Sequence, residues 1–373
     1  MSKKRIHFHG SDLEKIESIY GIQKERIVSF GANVNPLGIS PVLKDAISSN
    51  PDCIGAYPDR EYKDLKNTLA DYCHIDASYI LPGNGSTELI SLFIHALAPE
   101  SSVILGPSYS EYEKELGNVN SSYEYFSLLE KDQFKLNHTD ALFKTLKNRL
   151  AGKRNPIFIL CNPNNPTSTC IHKQVLEEIA AFCKENNITV MIDETYIEFT
   201  ANPEKISAVS LAEHYPNLII LRGVSKFFAA PGLRLGYAIT SNLTLREQFL
   251  AKQYPWSVNS FAAVHGSKMF HDQFYMMRTR NLIASERDRV VARLQAMPAY
   301  KVYLPEANFV LLRILDASIS ASELFETAIR QGLMIRDCSD FLLLGSAYFR
   351  FCFMMPEDND RLLDVLSSFH PTK

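Results

Sequence analysis

PIFILCNPNNPTSTCIHKQVLEEIAAFCKENNITVMIDETY, residues 156–196, is the stretch on which the fold turns. It opens on an unbroken apolar run, 156–160, and passes through a loop of two prolines and three asparagines, 162–167. An amphipathic helix, Lys173–Glu185, follows, and a second apolar run, 188–192, ends in Asp193-Glu194-Thr195-Tyr196. Strands apolar at every position suit a sheet covered by helices on both faces. Strand, helix, strand in this rhythm predicts an α/β fold with a doubly wound, mostly parallel sheet.

Outward from this unit the rhythm continues. Further strands are expected at 102–105, 123–127, 218–221 and 235–239, with helices at 61–73 and 86–98. Beyond about residue 265 the texture changes. A long helical segment, 260–295, is interrupted near Gln273, and strands at 301–303, 309–313, 333–336 and 348–353 surround a helix at 321–331. These predict a smaller α+β domain. The N-terminal arm, with a helix at Leu13–Tyr20 ended by Gly21 and a turn at Asn35-Pro36-Leu37-Gly38, is expected to join it, because residues 33–38 have no place in the central sheet. The expected domains are 46–264, and 1–45 together with 265–373.

The chain has 373 residues, 46% hydrophobic and 22% charged, which places it among globular proteins and not disordered or fibrous ones. Lys and Arg number 39 against 42 Asp and Glu, so nothing in the whole-chain charge suits nucleic acid or an anionic membrane. The longest apolar runs fall far short of a bilayer span, and MSKKRIHFHG has no apolar segment after its basic residues. Seven scattered cysteines without a CxxC pair argue against a disulfide framework and a cysteine zinc site, and a reducing cytoplasm is expected.

Polar groups collect at the ends of the expected strands, where open α/β sheets place ligands. The asparagine loop offers side-chain amides, or is a plain turn. A carboxylate such as Asp193 at a strand end is costly if desolvated unless a cation or donor meets it, although alone it reads as a helix N-cap. Lys226, after the strand 218–221 and Ser225, is a candidate imine-forming amine, since a desolvated or cation-flanked lysine loses its proton easily. A lone surface lysine is the ordinary alternative. Pro82-Gly83-Asn84-Gly85-Ser86-Thr87-Glu88 opens a helix with small residues, which suits an anion on backbone N–H groups or a capped turn. It is neither a Walker loop nor GxGxxG. Arg234 lies eight residues after Lys226. Together, an anion-binding turn, a strand-end Asp, a strand-end Lys and this Arg describe a pyridoxal phosphate site: a lysine to hold the aldehyde, a carboxylate for the ring nitrogen, donors for the phosphate.

These residues carry a resemblance over essentially the whole chain. It runs through His9-Gly10, Asn33-Val34-Asn35-Pro36-Leu37-Gly38, Tyr57-Pro58-Asp59, Gly83-Asn84-Gly85 and Asn162-Pro163-Asn164-Asn165-Pro166-Thr167. It continues in Pro231-Gly232-Leu233-Arg234-Leu235-Gly236-Tyr237, Pro255-Trp256-Ser257-Val258-Asn259 and Ile335-Arg336-Asp337-Cys338. The chain resembles the aspartate-aminotransferase superfamily, the fold type I pyridoxal phosphate enzymes. Within it, the likeness is to the threonine-phosphate decarboxylases of cobalamin biosynthesis, with the histidinol-phosphate aminotransferases as sister family.

The resemblance implies that Lys226 holds pyridoxal 5'-phosphate as an imine and Asp193 pairs with the ring nitrogen. Asn162 and Tyr196 would bond the ring hydroxyl, Tyr109 would stack on the ring, and Gly85, Ser86, Thr87, Ser225 and Arg234 would hold the phosphate. Tyr57 would reach the phosphate of a neighbouring subunit, implying a homodimer with shared sites. His9, Gly10, Asn33, Asn162, Arg336 and Arg350 match substrate positions, and two arginines suit a substrate carrying a carboxylate and a phosphate. The implied activity is decarboxylation of L-threonine O-3-phosphate or L-serine O-phosphate to the amino-alcohol phosphate, or alternatively transamination of histidinol phosphate or a related amino acid. The chain departs from the family pattern at Ser168, where glycine is usual and serine fits if φ is not positive. It also departs at Gly10-Ser11, where Gly-Gly is usual, after Arg350, where no second basic residue follows, and in the turn 341–346.

Overall fold

The computed structural model describes Phe8 and residues 10–369. Seven strands form one sheet: β1 (Ile80–Gly83), β2 (Ser101–Gly106), β3 (Ser122–Ser127), β4 (Ile157–Cys161), β5 (Thr189–Asp193), β6 (Leu218–Gly223) and β7 (Gly236–Ile239). Their order is β1-β7-β6-β5-β4-β2-β3. The β3:β2, β2:β4, β4:β5 and β5:β6 pairs are parallel, and β7 runs antiparallel to both its neighbours. Every strand but β7 therefore ends on the same edge of the sheet.

Alternation along the central strands sorts the core into two layers. Phe158, Leu160, Val190, Ile192, Leu218 and Ile220 enter the layer on one face; Ile157, Ile159, Met191, Ile219 and Leu221 enter the other. Each of the four residues 157–160 is fully buried, contributing about 1.5–3 kcal/mol apiece. The helix Lys173–Glu185 lies where its sequence placed it, turning Leu176, Ile179, Ala180 and Cys183 inward.

A second, antiparallel sheet has the order β10-β11-β9-β8, with β8 (Tyr300–Tyr303), β9 (Phe309–Ile314), β10 (Arg336–Asp337) and β11 (Tyr348–Cys352). The expected strand 333–336 is shorter than its pattern suggested: Leu333 makes only an isolated bridge to Val28. That bridge belongs to the N-terminal arm, whose residues 28–31 hydrogen-bond beside the small sheet. Val28 N–H donates to Gly332 O at 2.8 Å, Gly31 N–H to Met334 O at 2.8 Å, and Cys352 N–H to Phe30 O at 2.9 Å. The long helical segment is broken into Ser260–His265, a tighter turn at Gly266–His271 and Gln273–Gln295, whose N-cap is Asp272.

Two of the links that tie the sheets together start outside the strands of the large sheet. Glu130, just beyond β3, accepts from Lys301 at 2.8 Å, Tyr303 at 2.7 Å and Arg313 at 2.7 Å. Burial opposes its charge, but these donors outweigh it and hold the carboxyl down at about 2. The other link is Ser168. Its φ is +61°, contrary to the expectation that a serine stands there because φ is not positive. The strain is offset by a contact glycine lacks: Ser168 Oγ accepts from Ala307 N–H at 3.0 Å, while its carbonyl accepts from Glu306 N–H at 2.9 Å.

Candidate active site

The shared edge of the large sheet carries the site. At the end of β5, Asp193 is only 4% exposed. Its Oδ2 accepts from Tyr112 OH at 2.8 Å, and its Oδ1 accepts from Thr195 N–H at 3.0 Å and from the Thr195 hydroxyl. It caps no α-helix; these bonds bend the chain back over the strand end. Burial raises its pKa, and the hydrogen bonds only partly counter it. No described cationic side chain pairs with it, so the carboxylate has room for a cationic N–H partner that a protonated pyridine ring provides.

Lys226 follows β6. Its amine donates to Ala32 O at 2.7 Å, and its own carbonyl accepts from Asn35 N–H at 3.0 Å, so the N-terminal arm grips it at both ends. The residue keeps part of its surface open, yet the amine is deep enough for desolvation to lead the shift of its pKa down to about 8, followed by the repulsion of Arg350. Asp193 pulls the other way and Arg234 adds to the lowering, so all three charges act on this amine.

β1 feeds the anion cradle. Gly85 has φ +84° and caps the helix Ser86–Leu97. A Cβ there would lie 2.4 Å from Arg234 Nη2. Gly236, opposite, would place a Cβ 2.7 Å from Ser86 N, so the helix start is pressed against the ends of β6 and β7. Arg234 donates to Asn84 O and Pro231 O, each at 3.2 Å, and no described carboxylate neutralises it. The first N–H groups of a helix lack intrahelical acceptors, so Ser86 and Thr87 with Arg234 form a positive concavity for a phosphate. Tyr109 hydrogen-bonds Thr87, and its hydroxyl is pushed up to about 12, first by burial and then by the charges of Glu111 and Asp193. Ser225, beside Lys226, is part-buried.

The small sheet closes the other side. Arg350 on β11 is 5% exposed and faces no described carboxylate. Its guanidinium donates to Asn165 Oδ1 and, at 2.9 Å, to Gly31 O, while Nε has no partner. It stands 5.2 Å over the ring of Phe309, which meets Tyr196 edge-on at 4.9 Å. The Tyr196 hydroxyl accepts from Asn33 Nδ2 at 3.3 Å, and Asn33 Oδ1 is buried without a partner. Gly10 packs so close to Gly31 that a Cβ would meet its carbonyl oxygen at 2.1 Å. Arg336 is the cross-strand partner of Arg350, which brings both guanidinium groups to one face. His9 lies outside the described residues. Tyr57 stands apart, 79% exposed and stacked on Trp256 at 4.5 Å.

Asn162 lies beside Asp193, whose carbonyl accepts from its N–H at 2.8 Å, but its side chain does not face the site. The Asn162 amide is consumed by the chain: Nδ2 donates to Ile171 O at 3.0 Å and Ile206 O at 3.1 Å, and Oδ1 accepts from Ile171 N–H at 2.8 Å. Asn164 is likewise spent on Pro107 O and Thr167 Oγ1, each at 2.9 Å. The amide that faces Arg350 is Asn165. The sequence reading also missed Tyr112 and Thr195, the donors to Asp193. Tyr112, three residues past Tyr109 in the same turn of chain, was the available signal.

The residues present fit pyridoxal 5'-phosphate. A buried carboxylate without a cation, a lysine whose amine is pushed down to about 8 and an anion cradle that admits no side chain at Gly85 meet the three demands of the cofactor. The Aminotransferase class I and II model matches residues 25–366. Threonine-phosphate decarboxylase of Salmonella typhimurium is 34% identical over 96% of this chain and 95% of its own length. The crystal structure of the histidinol-phosphate aminotransferase from Clostridium acetobutylicum has a TM-score of 0.83 at 31% identity, covering 90% of this chain and 97% of that one. L-threonine-O-3-phosphate decarboxylase from Porphyromonas gingivalis shares the fold, with a TM-score of 0.78 at 23% identity over 91% of this chain and 98% of that one. The chain belongs to the class I and II aminotransferase family of pyridoxal 5'-phosphate enzymes.

Proposed function

We propose that this enzyme decarboxylates an O-phosphorylated amino acid, L-threonine O-3-phosphate or L-serine O-phosphate, releasing CO₂ and the amino-alcohol phosphate. The observation that carries this reading is the cross-strand pair Arg336 and Arg350, two guanidinium groups on one face of the small sheet, of which Arg350 acts on the Lys226 amine. One carboxylate and one phosphate on a single substrate match two such forks. The 34% identical relative named threonine-phosphate decarboxylase supports it.

Lys226 anchors the cofactor, Asp193 keeps a proton at the ring nitrogen, and Ser86, Thr87, Ser225 and Arg234 hold the phosphate, with Gly85 leaving room for it. Tyr109 and Tyr196 line the ring, and Asn165 takes the place first given to Asn162. Bound there, pyridoxal 5'-phosphate supplies a sink for the electron pair left at the substrate Cα. Arg350, rigid on Phe309 and lacking its own anion, orients the substrate carboxylate. Arg336 takes the remote phosphate, whose binding energy fixes the rotation about Cα and so decides which bond stands ready to break. Lys226, whose amine is near half-neutral at pH 8, returns a proton to Cα after CO₂ has left. Asn33 and Gly10 border the substrate space, and His9 is assigned to the substrate only by its match to the family pattern.

The enzyme is read as a homodimer with shared sites. Ile54, Tyr57 and Tyr254 are exposed beside Trp256, an apolar patch fit for a second copy whose phosphate Tyr57 would reach. The same reading divides each chain into residues 46–264, and 1–45 with 265–373.

Transamination of histidinol phosphate is the second reading, favoured by the 31% identical aminotransferase structure. Incubating the cofactor-loaded enzyme with each phosphoamino acid, without keto acid, separates the two. Decarboxylation yields CO₂ and amine by mass spectrometry; a product that forms only when a keto acid is added rejects it. Arg336→Ala should weaken phosphorylated substrates far more than their unphosphorylated analogues.

A further inference from the structure

The two arginines on the small sheet are not equivalent. Arg350 is held only by neutral oxygens. Arg336 already has an anion: its Nη2 lies 2.7 Å from Asp340 Oδ2, and Nη1 donates to Asp337 O. Its guanidinium also lies 5.2 Å from the Phe341 ring centroid. The Arg336 side chain is 11% exposed and that of Asp340 33%, so the carboxylate sits on the solvent side of a largely covered cation. Asp340 immediately precedes the turn 341–346, which departs from the family pattern. That turn reaches the large sheet, since the Leu343 side chain lies 3.1 Å from where a Cβ on Gly106 would stand, three residues before Tyr109.

Resting on the phosphoamino acid reading above, we propose that Asp340 is a specificity-determining residue. It is a resident counter-ion that makes Arg336 accept a dianion and reject a monoanion of the same shape. A monoanion reaching Arg336 replaces one carboxylate with its equal and gains little. A phosphate monoester carries close to two charges and three acceptor oxygens, so it gains by the exchange. The discrimination comes from an element that opposes the wrong ligand, and needs no extra contact to the right one. Asp340 touches Arg336 and not the reacting atoms, so its role is one of positioning.

O-sulfo-L-serine and O-phospho-L-serine are matched in shape and differ in charge, which makes them the probes. Binding to the holoenzyme is read from the change in cofactor absorbance, for wild type, Asp340→Asn and Asp340→Glu, with L-serine as the reference. Wild type should prefer the phosphate ester by about tenfold or more. Asp340→Asn should narrow that ratio by about threefold or more, through tighter sulfate binding, on the scale of a partly exposed ion pair. Asp340→Glu, which restores the charge, should keep the wild-type ratio and shows that the turn tolerates substitution. A ratio unchanged in Asp340→Asn overturns the proposal. Failure of wild type to bind either ester better than L-serine overturns the phosphate reading itself, and this proposal with it.

Discussion

Lys226 shows how one residue acquires chemistry from distant parts of the chain. Burial and Arg350 push its amine down to about 8, against an ordinary value near 10.5. The neutral amine attacks an aldehyde, so attachment of pyridoxal 5'-phosphate to cofactor-free protein should quicken as pH rises and level off above about 8. Arg350→Ala removes a cation that lowers the value, so the midpoint should move to higher pH. Stopped-flow absorbance on both proteins checks this, and an unmoved midpoint would reject Arg350 as a cause. The stability linkage has a definite sign. Between about 8 and 10.5 the unfolded chain retains a proton that the folded lysine has lost, so the cofactor-free protein should gain stability with rising pH across that window. Lys226, Asp193 and Arg234 were legible because each sits at or soon after an apolar run with companions at fixed places. Asn162 and Asn165 were not separable, since both lie in one irregular loop and only the packing of Ile171 and Ile206 shows which amide is spent.

Among the elements, two left-handed positions, Gly85 and Ser168, make separable predictions. Gly85→Ala puts a methyl 2.4 Å from Arg234 Nη2 at φ +84°, so the arginine must leave the cradle. Cofactor affinity should fall about tenfold, with a stability loss on the order of 1–2 kcal/mol from the left-handed backbone. Titration of the apoprotein and denaturant unfolding measure the two effects separately. At Ser168, replacement by Gly loses the Oγ bond to Ala307 but relieves the strained φ; replacement by Ala loses the bond and keeps the strain. Ser168→Ala should therefore be less stable than Ser168→Gly by about 1 kcal/mol in urea unfolding. Equal stabilities would mean the left-handed conformation costs nothing there. Elements with strong periodicity were legible, such as Leu13–Tyr20 and Lys173–Glu185. β1 escaped because four residues ending in Pro-Gly read as a turn. The helix Asp140–Leu150 was missed despite buried leucines at 142, 146 and 150, a spacing that did carry the signal.

At the scale of the molecule, the alternating rhythm predicted the mostly parallel sheet. The links through Glu130 and Ser168 could not be read, because each joins residues more than a hundred positions apart with no local pattern. The proposed homodimer makes its own prediction. Tyr57→Asp with Trp256→Asp places charge on an exposed stacked pair of aromatics. Sedimentation should show wild type at twice the chain mass and the double variant as a monomer with weakened cofactor retention; a wild-type monomer would reject the shared site.

The arm's two carbonyl groups have a consequence for biosynthesis. Ala32 O holds a cation 194 positions downstream, and Gly31 O holds one 319 positions downstream. On a translating ribosome the first cannot meet its amine until well after the seventh strand has been made, and the second must wait for the last strand of the small sheet. The acidity that suits Lys226 to the coenzyme is thus complete only once residue 350 has folded into place, and a nascent chain stalled before Arg350 would carry the right lysine with the wrong acidity.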